Sequence, residues 1–295
     1  MTVLLDQETK VIVQGITGRI GSIQTRLMLE YGTRIVAGVT PGKSGEIVEG
    51  IPVYDAVDEA ISSHPADVSI IFVPAAVAMD AAFEAIRAGV KLLVIITEHI
   101  PIHDTLKIRA LSEKEGAIVI GPNTPGVISP GKAKLGIMPG NLFQPGKVGI
   151  IARSATLAYE IAGNLSMAGI GQSTCVGIGG DQVTGVTFVD MLKLFEEDPG
   201  TEALVMVGEI GRTVEEEAAK YVMREITKPL VAFVAGRSAP PRRRMGHAGA
   251  IIEHGRGSAE SKIKSLQSAG VKVIDRPMQV VEAVSSALRE ACGST

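Results

Sequence analysis

The sequence predicts an α/β protein made of two doubly wound domains in tandem, on three observations. Short runs rich in Val, Ile and Ala alternate with helical patterns along almost the whole chain. Those runs are continuously apolar rather than alternating, as expected of parallel strands covered by helices on both faces. Glycines gather where the runs end, which is where open parallel sheets place their working turns.

In chain order, Lys10–Gln14 reads as a strand, Ile20–Tyr31 as a helix and Arg34–Val39 as a strand. Helix Ala56–Ser63, strand Val68–Val73, helix Ala76–Ala88, strand Leu92–Ile96, helix Asp104–Lys114 and strand Ala117–Ile120 come next. Residues 121–146 hold five Pro and six Gly and read as an irregular connection, with a boundary near Gln144–Lys147. Alternation then resumes with strand Val148–Ile151, helix Thr156–Ala168, strand Ser173–Ile178 and helix Thr187–Glu197. Strand Ala203–Val207, helix Val214–Arg224, strand Pro229–Val234, strand Val271–Val273 and helix Pro277–Ala291 close the second half.

Composition excludes several classes. With 295 residues, 45% of them hydrophobic, either half can bury its own core. A net charge of −3 argues against a nucleic-acid surface. Two cysteines, Cys175 and Cys292, permit no disulfide framework or zinc spacing, which favours a reducing cytoplasm. The acidic N-terminus is no signal peptide, and no apolar run approaches the roughly 20 residues of a membrane helix, so the protein reads as soluble.

The first Gly-rich strand end is Gln14-Gly15-Ile16-Thr17-Gly18-Arg19-Ile20-Gly21. Between strand and helix, these glycines allow a tight turn, and the free N–H groups of the helix suit a phosphate. An NAD site wants an acid after the second strand; here that strand leads to Thr40-Pro41-Gly42-Lys43. Lys43 points instead to an additional phosphate, as on NADP or coenzyme A. Residues 37–44 fit a relaxed P-loop pattern, but residues 45–52 are poor helix material, so that reading fails. In the second half, residues 151–156, 177–181, 208–211 and 242–251 supply further turns of this kind. In an open parallel sheet these gather along one edge, which can bring Ser154, Glu209 and His247 together.

Of the five histidines, His64 and His254 read as solvated, and His99 with His103 lacks the further ligands of a metal site, so no metal is expected. His247 stands among Gly and Ala, with a reachable ring, and can attack phosphorus while a carboxylate such as Glu209 orients its other nitrogen. The basic run Arg242–Arg244 is a solvated surface or a guide for anions.

Taken together, the motifs Val-Gln-Gly-Ile-Thr-Gly (13–18), Gly-Val-Thr-Pro-Gly-Lys (38–43), Ile-Thr-Glu (96–98) and Gly-Pro-Asn (121–123) resemble the succinate–CoA ligase alpha-subunit family. Gly-Ile-Met-Pro-Gly (136–140), Val-Gly-Ile-Gly-Gly-Asp (176–181), Gly-Glu-Ile-Gly (208–211) and Met-Gly-His-Ala-Gly-Ala-Ile-Ile (245–252) extend the resemblance from about Val11 to Ala269. It implies a Rossmann-like CoA-binding domain over 1–145 and a flavodoxin-like ligase domain over 146–295. Thr17, Gly18, Arg19, Ile20, Lys43, Ile96, Thr97 and Glu98 would bind coenzyme A. His247 would be the phosphohistidine and Glu209 its catalytic partner, with Tyr159, Ser154 and Asn123 at the acid-substrate site. ATP or GTP, with Mg, would bind on a separate beta subunit in an alpha–beta heterodimer or heterotetramer.

The sequence departs from the family pattern at Ala152, Ala155, Gln182 and Arg212, all near the expected catalytic edge. Malate–CoA and citrate–CoA ligases share the architecture and remain alternatives. So do an NADP-dependent reductase and a CoA-binding subunit that has lost activity.

Overall fold

A computed structural model describes residues 3–240, 245–252 and 257–293. The first half forms strand β1 (Lys10–Gln14), helix α1 (Arg19–Glu30), β2 (Arg34–Val39), β3 (Ile47–Val48), β4 (Ile51–Tyr54), α2 (Val57–Ser63) and β5 (Val68–Ile71). It continues with α3 (Ala75–Arg87), β6 (Leu92–Ile95), α4 (Ile102–Glu115) and β7 (Ile118–Ile120). The sheet order is β3-β4-β2-β1-β5-β6-β7, and only β3 runs antiparallel to its neighbour. Counting the parallel strands alone gives 3-2-1-4-5-6, the Rossmann order, with β1 and β5 flanking the point where the winding reverses.

The second half forms β8 (Gly126–Ser129), β9 (Ala133–Gly136), β10 (Pro145–Ala152), α5 (Ala155–Met167), β11 (Gln172–Gly177), α6 (Phe188–Glu197), β12 (Ala203–Glu209) and α7 (Val214–Glu225). β13 (Leu230–Ala235), α8 (Ala259–Ser268), β14 (Lys272–Ile274) and α9 (Val280–Gly293) complete it. The order β14-β13-β12-β10-β11-β8-β9 contains, in its parallel strands, the flavodoxin order 2-1-3-4-5. The expected pairing of a Rossmann-like and a flavodoxin-like sheet is therefore observed. Strands such as β5, β6, β11 and β12 are buried at every position, because helices cover both faces.

Two expectations are corrected. Residues 121–146 are not an irregular connection: β8 and β9 form an antiparallel hairpin that joins the second sheet beside β11. The chain thus changes sheets near residues 121–125, ahead of the expected boundary. Val127, Ile128 and Leu135 carry the hairpin into the core, while Gly126 lets its strands touch: a β-carbon there would lie 1.8 Å from the Leu135 carbonyl oxygen. The stretch after Lys43 holds the short hairpin β3–β4, which agrees with rejecting a P-loop helix. Helix α8 was not anticipated at all.

Gly126 separates two costs. It has φ of +103° and a backbone contact, whereas Gly116, which ends α4, has φ of +67° and open space around it. Gly116→Ala is expected to cost about 1 kcal/mol, the left-handed penalty alone. Gly126→Ala is expected to cost about 2–4 kcal/mol, since the clash adds to the same penalty. Equal midpoints in chemical denaturation of the two variants would refute this account.

Candidate active site

On the first sheet, β1 turns into α1 through Gly15, with φ of +79°, and a β-carbon on Gly21 would meet the Gly15 carbonyl oxygen at 2.1 Å. These contacts fix the turn, and α1 starts at Gly18 with no side-chain cap and no acid in its first turn. Its N–H groups and positive dipole end stay available to an anion. The Thr17 hydroxyl lies 3.2 Å from that of Thr40, which ties this turn to the end of β2. Beyond Thr40, the Asp55 carboxylate accepts the N–H groups of Lys43 and Ser44, so the Lys43 backbone is fixed. The Lys43 ammonium pairs with Glu46 at 2.8 Å, and this hydrogen bond raises its pKa. An incoming phosphate must compete with Glu46 for it. At the end of β6, the Thr97 hydroxyl donates to the Val73 carbonyl at 2.6 Å.

On the second sheet, Glu209 ends β12 and Arg153 follows β10. His247 Nδ1 lies 2.9 and 3.0 Å from the two Glu209 carboxylate oxygens, which leaves Nε2 as the nitrogen free for chemistry. The hydrogen bond to Glu209 raises the His247 pKa, against the opposing effect of burial. A β-carbon on Gly180 would lie 2.6 Å from His247 Cγ, so the bare glycine is the seat of the ring.

Beneath this pair lies a buried charge network. Arg153 Nη2 is 3.1 Å from Glu209 Oε1, and Nη1 is 3.2 Å from Glu215 Oε1. Nη1 also donates to the carbonyls of Glu209 and Gly211. Lys262 closes the network on the other Glu215 oxygen and on the Gly211 carbonyl. The side chains of Arg153, Glu215 and Lys262 are wholly buried. Burial alone would raise the Glu215 pKa, but Arg153 and Lys262 outweigh it and hold the carboxyl below its usual value.

A single cavity of about 500 Å³ joins the two sheet edges, lined by Ile96, Thr97 and Glu98 on one side and by Arg153, Ala155 and His247 on the other. Asn123 lies between them, and Ile20 and Ile137 line the cavity although 55% and 42% exposed. Exposed apolar side chains at a concave site suit the apolar part of a ligand.

Of the expected residues, then, Ile20, Ile96, Thr97, Glu98, Asn123 and His247 line one cavity, with Glu209 behind the histidine. Thr17, Gly18, Arg19 and Lys43 surround the same sheet edge. Ser154 is the N-cap of α5, between the cavity-lining Arg153 and Ala155, and its hydroxyl is 3.4 Å from that of Thr156. Tyr159 packs edge-on against Phe143, and burial pushes its phenol up to about 12. Ala155 is the first residue of α5 in ordinary helical conformation, so its backbone did not demand glycine; its methyl group lines the cavity. Arg212 does adopt a left-handed conformation, φ +58°, and donates to the Asp181 carbonyl at 2.6 Å.

His64 stands edge-on to Tyr54 rather than in open solvent. No group of three metal-ligating side chains occurs among the described residues. Arg242–Arg244 and His254 lie outside the described residues. The sequence reading placed Arg153 and Gly180 in turns of the second sheet's edge without assigning them a role, and missed Glu215 and Lys262 as parts of the site. An arginine directly after an apolar strand was the one available signal.

Residues 6–99 match the CoA binding domain family and residues 151–272 the CoA-ligase family. The chain is 56% identical to the succinate–CoA ligase [ADP-forming] alpha subunit of Methanothermobacter thermautotrophicus, over 97% of each chain. It is 57% identical to the alpha subunit 2 of the same enzyme from Archaeoglobus fulgidus, over 98% of this chain and 100% of that one. The structure of ATP citrate lyase from Methanothrix soehngenii in complex with citrate and coenzyme A superposes with a TM-score of 0.90 at 26% identity, covering 99% of this chain. This chain spans 51% of the lyase's length.

The charge network makes a stability prediction. Glu215→Gln leaves Arg153 and Lys262 buried with one carboxylate fewer, and is expected to cost about 3–5 kcal/mol. Because the folded pKa of Glu215 is depressed, its contribution is present above the ordinary Glu pKa and is lost as pH falls through the folded value. Denaturation curves across acid pH should therefore be flatter in the variant; a parallel pH dependence would reject the role assigned to Glu215.

Proposed function

The chain belongs to the succinate–CoA ligase alpha-subunit family, and we propose on that footing that His247 carries the phosphoryl group and that coenzyme A lies along the first sheet edge. The protein is an acid–thiol ligase subunit of the ADP-forming type, a reversible ligase that joins succinate to coenzyme A at the expense of a nucleoside triphosphate. The observation that carries the site reading is the shared cavity: a histidine oriented by a carboxylate opens into the same space as the Gly-rich first sheet edge.

Nε2 of His247 attacks the terminal phosphorus of the nucleoside triphosphate, the bridging P–O bond breaks and the nucleoside diphosphate leaves, while Nδ1–H donates to Glu209, which offsets the positive charge that develops on the ring. The N-terminus of α5, at Ala155, faces the same cavity and favours the transferred anion. The succinate carboxylate then attacks phosphorus, giving the acyl phosphate and freeing the imidazole. The thiol of coenzyme A attacks the acyl carbon, phosphate leaves, and the thioester remains. For coenzyme A, the N-terminus of α1 suits the pyrophosphate and Lys43 the ribose phosphate. The lyase of the same fold in complex with coenzyme A supports that placement.

An alpha subunit implies a beta partner, to which we assign ATP, or GTP, with its Mg. The unlike structure after Lys43, a β-hairpin where a P-loop needs a helix, supports this assignment. A cytoplasmic location suits a reaction that draws on nucleoside triphosphate, and no helix among the described residues is long and apolar enough to cross a membrane.

Three measurements test these roles. Labelled ATP with the assembled enzyme is expected to give an acid-labile, alkali-stable phosphate that His247→Ala abolishes; a label persisting in that variant would refute the assignment. Attack needs an unprotonated Nε2, so the rate should rise with pH through the raised His247 pKa. Glu209→Gln removes the main cause of that raise, and should move the acid limb to lower pH while lowering the plateau at least about tenfold. For the other substrate, Lys43→Ala is expected to weaken coenzyme A binding by roughly tenfold, the scale of one charge-assisted contact. Calorimetry that finds NADPH bound and coenzyme A unbound would overturn the reading of the first sheet edge.

A further inference from the structure

Asn123 lies where the chain passes from one sheet to the other, and it bonds in both directions. Its backbone N–H donates to the Thr97 carbonyl at 2.9 Å, on the first sheet's side of the cavity. Its side-chain Nδ2 donates to Asp181 Oδ1 at 2.9 Å, and its carbonyl accepts from the Gly180 N–H at 3.2 Å. Asn123 has φ of +55°, a conformation that Asn and Asp adopt more readily than most side chains. Gly180 is the seat of the His247 ring, and its carbonyl accepts from the Gly249 N–H at 3.3 Å, two residues beyond that histidine. Across the loop, Arg212 holds the Asp181 carbonyl. The backbones are pressed together as well: a β-carbon on Gly179 would lie 2.3 Å from the Pro122 carbonyl oxygen.

The loop that seats the imidazole therefore takes its position relative to the first sheet from the Asn123–Asp181 bond, from the Thr124 hydroxyl on the Gly177 carbonyl at the loop's base, and from its backbone neighbours. We propose that Asn123 and Asp181 form a positioning clamp, which registers the His247 ring with the first sheet edge so that phosphoryl transfer and thiol attack share one cavity. The clamp rests on His247 being the phosphoryl acceptor. It acts through geometry: the Asn123 Nδ2 is engaged by Asp181, a positioning role in place of the acid-substrate contact that the resemblance implies for Asn123. A displacement of about 1 Å at a reacting group is enough to slow chemistry roughly a hundredfold, so a weakened clamp reads out in rate.

The hydrogen bond can be broken by one substitution and rebuilt by two that together leave the charge of the pair unchanged. Asn123→Asp sets two carboxylates against each other while keeping a residue suited to the left-handed backbone. Asp181→Asn keeps an acceptor oxygen for Asn123 but removes the charge near His247. The double variant Asn123→Asp/Asp181→Asn restores the bond with donor and acceptor exchanged. The assembled enzyme is given labelled ATP, and the rate of acid-labile phosphate appearing on the chain is followed, with the KM for coenzyme A.

Asn123→Asp is expected to slow labelling roughly tenfold or more, with Asp181→Asn and the double variant within about threefold of wild type. Three outcomes overturn the clamp: Asn123→Asp at the wild-type rate, a double variant no faster than Asn123→Asp, or Asp181→Asn as slow as Asn123→Asp. The last would assign the effect to charge. A wild-type enzyme that takes no label fells the acceptor reading, and the clamp with it.

Discussion

The site depends on a buried arginine. Arg153 is wholly enclosed, so its charge must be met by charge, and Glu209 and Glu215 meet it from two sides. In low dielectric such a group tolerates few arrangements, because a displaced carboxylate leaves an uncompensated ion. That intolerance is useful here. It fixes the Glu209 carboxylate, which in turn fixes the tautomer and tilt of His247. Lys262 pairs with the second carboxylate, so two cationic and two acidic side chains form one group.

The fold puts this group where ligands can reach it. In both sheets the reversal of winding opens a crevice at the carboxyl ends of the strands, beside β1 in one and β10 in the other. The turns leaving β1 and β10 each start a helix whose first N–H groups are open, and the two crevices merge in one cavity. Two uncapped helix N-termini from two sheets thus face a common volume, an arrangement neither sheet could supply alone.

Much of this was legible in the residues. Continuous apolar runs can be little else than covered strands, and those strands were found with ends displaced by at most three residues. His247 stood out because small neighbours leave an imidazole reachable. Helix α8 escaped for a physical reason: its buried positions are Ala259, Lys262 and Leu266, and a lysine at the centre of the inward face erases the apolar stripe that marks a helix. Glu215 escaped because it opens the run Glu215–Glu217, where sequence cannot tell the one carboxylate that turns inward. The hairpin β8–β9 was hidden by its own glycines and prolines, which are what allow so tight a pair.

That hairpin carries a consequence for dividing the molecule. β8 covers the side of β11 that no other strand pairs, through the registers Cys175–Ile128 and Val176–Val127. A fragment begun at residue 146 would present β11 as a bare edge, with Thr174 and Cys175 stripped of neighbours and a row of backbone donors and acceptors open to other chains. The stretch that looks like a spacer between two folding units is the selvage of the second one. Any excision of that unit must begin ahead of Gly126, inside the segment that also holds the first sheet.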